Sequence, residues 1–134
     1  MITRFLGALA AGLLVGNILS EALRTGLSAL MPQRFDPTLW LGPQQPDSIT
    51  LLWLLLGWLL STSASASMAS AISGTALAGW LSALCWGLAM LLAGSLAGTE
   101  HLVLGAALMT VFAGSLLGNR IAASAADDRA VAAE

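Results

Sequence analysis

Lysine and tyrosine are absent from this 134-residue chain, and histidine and cysteine occur once each. Only 9% of the residues are charged, against about a quarter in an ordinary soluble domain. Each scarcity excludes something. The lone Cys85 cannot close an internal disulfide, and a single His101 cannot build a metal site alone. Five basic residues, all Arg, against seven acids leave a net charge of -2, which gives no basic surface for nucleic acid. What is abundant is apolar: 57% of the residues are hydrophobic, too many for a disordered chain. Mean hydropathy is +0.86. The composition is that of a protein dissolved in lipid.

The distribution of charge sets the architecture. Residues 48–99 form a run of 52 positions without Asp, Glu, Lys, Arg or His. As one helix this run would be about 78 Å long, whereas the hydrocarbon core of a bilayer is about 30 Å thick. It must fold back once, and Ser73-Gly74-Thr75 is the natural place. Residues 5–20 and 102–119 are also uncharged, each near the length a spanning helix needs. The predicted fold is all-α, an integral membrane bundle of four transmembrane helices over about 4–28, 49–72, 75–97 and 101–122. The domain organisation follows: residues 1–123 form the transmembrane domain, and 124–134 form a short Ala/Asp tail.

Arg4 followed by Phe5–Val15 has the shape of a signal peptide. No clean small-x-small site follows it, and three more spans come later, so the segment is read as an uncleaved first helix. Residues 31–48 contain all four prolines and are read as a loop. Phe35, Leu39, Trp40 and Leu41 give that loop an apolar side. It is either an interfacial loop resting on headgroups or a lid. Asp47 or Ser48 supplies a helix cap at its end.

Two patterns of membrane-embedded polarity stand out. Asn17, Ser20, Glu21 and Arg24 recur at i, i+3, i+4 and i+7, so they share one face of the first helix. Such a stripe either faces a wet cavity or projects into the interface as a solvated turn. In the second helix, seven of the thirteen residues from Ser61 to Ser73 carry hydroxyls. These hydroxyls bond their own backbone, line a close helix contact, or line a polar conduit.

Small residues recur at spacing four: Ala8, Gly12 and Gly16; Gly79, Ala83 and Gly87; and Ala106, Thr110, Gly114, Gly118 and Ala122. Such ridges let helices approach closely in a bilayer. The last is a candidate packing ridge, against another helix of the chain or against a second copy. Gly12-Leu13-Leu14-Val15-Gly16-Asn17 echoes Gly114-Ser115-Leu116-Leu117-Gly118-Asn119, a likeness that so biased a composition also produces by chance.

No span carries His paired with an acid, or Ser beside a His, so nucleophilic or acid–base chemistry has no visible machinery. No catalytic, cofactor-binding or metal-ligating residue is assigned, no cofactor is expected, and the chain is not read as an enzyme. The favoured reading is a small multi-pass bacterial inner-membrane protein acting as a non-enzymatic accessory or packing subunit. The bacterial source rests on the lack of Lys and Tyr and on Ala, Leu and Gly making up about half of the chain, the bias of a GC-rich genome. The alternative is a small-solute or ion channel or transporter using the helix-one stripe and the Ser-rich half of helix two. A holin-like permeabilising protein is a third reading. The partners expected are the lipid bilayer and a second copy or another membrane protein, with no nucleic acid. Arg4, Arg120 and Arg129 against Arg34 and Arg24 place both termini in the cytoplasm.

Overall fold

The computed structural model describes residues 2–31 and 46–132. Among the described residues there are four helices: α1 (Ile2–Leu30), α2 (Ser48–Ser73), α3 (Ala76–Leu96) and α4 (His101–Val131). All four are long and apolar enough to cross a bilayer. The expected spans are therefore present, each within a few residues of its predicted bounds except at one end. There, α4 continues through the Ala-rich segment set apart as a tail, because Ala is the strongest helix former and nothing after Ala122 breaks the run. Most of the Pro-rich loop, residues 32–45, lies outside the described residues, and so do the interface and lid readings attached to it.

The helix ends follow from local chemistry. Asp47 caps α2, its carboxylate accepting from the Thr50 amide at 3.2 Å. Gly74 ends that helix in the left-handed region at φ 75°, where its N–H donates to the Ser70 carbonyl at 2.8 Å. A residue without a Cβ takes that conformation without steric cost. The fold-back thus falls at the expected position. Gly98, at φ 72°, does the same work between α3 and α4.

The helices run alternately up and down. Gly12 lies against Ser65 and Ala69, Gly16 against Ser61 and Ser65, and Leu23 beside Gly57, which sets α1 antiparallel to α2. Gly114 lies against Leu59 and Thr62, and Gly118 against Ser63 and Ala66, so α4 runs parallel to α2. α2 and α3 each touch every other helix, whereas α1 and α4 share no contact among the described residues. In cross-section α2 and α3 form the short diagonal of a rhombus, with α1 and α4 at its far corners.

The interior divides into two halves along the axis. Toward the α3–α4 turn, Leu27, Leu54, Trp58, Met90, Val103 and Val111 form an apolar core. Toward the termini, the interior is made of Ser, Thr, Ala and Gly. The largest side chains buried almost completely are Thr62, Ser61, Ser65, Ser82 and Ser115. Large apolar residues such as Leu14, Leu60, Leu88 and Met109 point outward. Water would penalise that arrangement; lipid, as apolar as Leu, does not. Helix contact in a bilayer comes instead from close packing of small residues.

Candidate functional site

The hydroxyl-bearing half of α2 is the most connected surface of the molecule. Ser61, Thr62 and Ser65 are each 0% exposed. Thr62 donates to the Trp58 carbonyl at 2.7 Å, and Ser67 to the Ala64 carbonyl at 3.1 Å. These are bonds to the helix's own backbone, the low-cost use of a membrane hydroxyl. Two others reach across the bundle. Ser65 Oγ lies 2.5 Å from Ser82 Oγ of α3, and Ser70 donates to Asn119 Oδ1 of α4 at 2.5 Å. Ser61 Oγ, the Trp86 indole nitrogen and the Asn119 amide nitrogen are buried at this level with no hydrogen-bond partner among the described residues.

Glycine makes this closeness feasible. A Cβ on Gly12 would lie 2.6 Å from the Ser65 carbonyl oxygen, and one on Gly16 would lie 2.8 Å from Ser65 Cβ and 2.9 Å from the Trp86 indole nitrogen. From the other side, a Cβ on Gly114 would sit 2.7 Å from the Leu59 carbonyl oxygen, and one on Gly118 would sit 2.9 Å from the Ser67 amide. On α3, a Cβ on Gly79 would run into Asn119 and Ser70 and come within 3.0 Å of the Ala66 carbonyl. The two echoed fragments, Gly12–Gly16 and Gly114–Gly118, therefore grip α2 from opposite sides.

The predicted packing ridge is split by position. Gly114 and Gly118 are buried against α2, so this part packs within the chain. Ala106 and Thr110 are half-buried, and Thr110 donates to the Ala107 carbonyl at 2.7 Å.

The predicted polar stripe lies elsewhere. Ser20 is half-buried, while Asn17 and Glu21 are exposed. Arg24 donates from Nε to Glu21 Oε2 at 2.7 Å, with a second, closer bond from its terminal nitrogen to Oε1. The Glu21 side chain is nevertheless 60% exposed. Asn17 borders a shallow groove of about 250 Å³ between α1 and α3, with Leu13, Cys85, Trp86 and Ala89. The inward edge of α1 is Ala8, Gly12, Gly16 and Leu27, and Glu21 lies about 140° around the helix from Gly16 at 100° per residue. The structure does not bring the stripe and the α2 hydroxyls together into one path.

Sequence reasoning assigned no site role to Ser82, Trp86 or Asn119. A signal existed for two of them: Ser82 stands beside Ala83 and Asn119 beside Gly118, each next to a member of a small-residue ridge. Among the described residues, no base lies beside the hydroxyl pair Ser65–Ser82. The one histidine, His101, begins α4 about 20 Å along the axis from the level of Ser65 at 1.5 Å per residue. The arrangement joins helices and offers no activated nucleophile.

These features define a class, a four-helix membrane bundle held by glycine contacts to one central hydroxylated helix. Comparison with models of known protein families, with curated proteins and with solved structures finds no match to this chain.

Proposed function

We propose that this protein is a non-enzymatic structural subunit of a bacterial inner membrane, crossing it four times with both termini in the cytoplasm. One observation carries the reading: Ser61, Thr62 and Ser65 are fully buried beneath Gly12, Gly16, Gly114 and Gly118. Thr62 bonds its own helix, and Ser65 and Ser70 bond Ser82 and Asn119 of neighbouring helices. Much of the polarity that a conduit would require is thus used in helix contacts, and the outer face is free for other membrane components. The stripe on α1 lies on that outer face, where polar groups serve assembly better than passage.

Charge placement supports the orientation. Arg4 donates to the Ile72 carbonyl at 2.8 Å, and Arg120 follows Asn119, which accepts from Ser70. Both arginines thus sit at the end of the bundle that holds the termini, and basic residues concentrate on the cytoplasmic side of membrane proteins.

Reconstitution into vesicles loaded with a small self-quenched dye and a pH indicator tests the proposal. The structural reading expects dye release and proton flux no faster than in protein-free vesicles. Protein-dependent flux of either kind would overturn it in favour of transport, and rapid loss of the dye would favour a permeabilising protein.

A further inference from the structure

On α1, the exposed side carries a pattern that the bundle does not use. Thr3, Gly7, Ala10, Leu14, Asn17 and Glu21 follow one another at spacings of 4, 3, 4, 3 and 4, and all six are exposed. The spacing is that of the a and d positions of a heptad, over nearly three heptads, with Gly7, Ala10 and Leu14 apolar and Thr3, Asn17 and Glu21 polar. A Cβ added to Gly7 would meet nothing within 4 Å, in contrast to Gly12 and Gly16 on the inward edge. Gly7 therefore has no close neighbour among the described residues, and Ala10 is exposed.

Depth makes the seam significant. Gly16 meets Ser61 and Leu23 meets Gly57, so Asn17 and Glu21 lie level with the Gly57–Leu60 turn of α2. That turn is near the middle of a helix running from Ser48 to Ser73. Leu52, Leu56 and Leu60 on α2 are exposed around the same level. An amide and a carboxylate thus face outward at the depth where neighbouring side chains meet hydrocarbon. Polar groups at such depth usually face protein or a water-filled cavity.

We propose that this seam is covered by α1 of a second copy of the same chain, forming a parallel two-fold dimer. Copies inserted in one orientation present α1 in parallel, and a two-fold axis brings each seam residue to its own counterpart. Self-complementarity favours this occupant. The Asn17 amide has both a donor and an acceptor, so two copies exchange hydrogen bonds across the axis. Each Glu21 already holds Arg24 of its own helix, and pairing places the two carboxylates and two guanidiniums in one neutral group. Gly7 and Ala10 let the helices approach at the terminal end. The contrast with Asn119 points the same way: that residue, at the matching place in the echoed fragment, has Ser70 as its partner, and Asn17 bonds to no described residue. The dimer does not depend on the structural-subunit reading, since transporters and scaffolds alike assemble in pairs.

The test uses the full chain in its membrane, with Cys85→Ala as background and two differently tagged copies. Single cysteines at 7, 10, 14 and 17 are expected to give intermolecular disulfides, and cysteines at Ile18 and Ala22, exposed but off the seam, are not. In a dimerisation assay, Asn17→Leu is expected to weaken association about tenfold. Equal crosslinking at 18 and 22, or none at any position, overturns the proposal. An adduct from position 17 to a different polypeptide, or to a second cysteine placed at Phe35 of the same chain, would also overturn it by naming another occupant. Vesicle permeability is read separately, so the failure of either proposal leaves the other standing.

Discussion

Gly118 and Gly105 lie on the same helix and differ only in what surrounds them. A Cβ on Gly118 would be forced against the backbone of α2, while one on Gly105 would meet nothing within 4 Å. Backbone on a packed helix cannot swing aside as a side-chain tip can. Gly118→Ala is therefore expected to lower stability by about 1–3 kcal/mol, read as a drop in thermal midpoint in detergent. Gly105→Ala is expected to be neutral or stabilising, because Ala exceeds Gly in helix propensity by about 1 kcal/mol. Equal loss at both positions would mean that the α2–α4 contact is not where it is drawn. The Ser65–Ser82 bond permits a second test at this scale. Single Ser→Ala variants and the double variant form a thermodynamic cycle, and the expected coupling is about 0.6 kcal/mol, the average for hydrogen bonds between membrane helices. A coupling of zero would leave the two hydroxyls adjacent but energetically separate.

At the scale of elements, the number of helices and their limits, apart from the end of α4, were legible because they depend on the chain's own sequence. An uncharged run longer than a bilayer is thick must turn, and Gly74 is the residue there best suited to the left-handed conformation. Gly74→Ala is expected to cost about 1 kcal/mol, seen as a lowered midpoint without loss of helix content; an unchanged midpoint would show that the α2–α3 turn relaxes freely. Facing was much harder to read. In water the apolar stripe of a helix marks its buried side, but lipid removes that signal, and here Leu60 points out while Ser61 points in. The hydroxyls of α2 left backbone bonding, close contact and conduit all open. Both of the first two occur, Thr62 bonding its own helix and Ser65 bonding α3. Ser82 and Asn119 carried only the signal of standing beside a small-residue ridge, and which hydroxyl each one meets depends on what lies opposite. Helical spacing puts the stripe on one face of α1, but which way that face turns depends on where α2 sits, and periodicity does not carry that information.

In the half toward the termini the molecule is inverted by the standards of soluble proteins, with hydroxyls and glycine inside and leucine outside, while the other half keeps an apolar core. In the topology proposed above, four crossings put both termini on one side, and Arg4 and Arg120 favour the cytoplasm for that side. Reporter fusions after Glu134 and within residues 37–46 are expected to indicate opposite sides, with the tail cytoplasmic. Same-side signals would refute four crossings, and reversed signals would refute the orientation.

The central claim is that the hydroxyl-rich half of α2 is a sealed joint between helices. Thiol accessibility tests it most directly. Single cysteines replacing Ser61, Ser65 and Ser82, each in a Cys85→Ala background in intact membranes, are exposed to a membrane-impermeant thiol reagent from both sides. Ser48→Cys, at the exposed start of α2, reports that the reagent reaches the protein. The account predicts labelling at position 48 and none at 61, 65 or 82 until the protein is unfolded. Labelling of the three buried positions in the folded protein, from either side, would reveal a water-filled path where the structure places a packed seam.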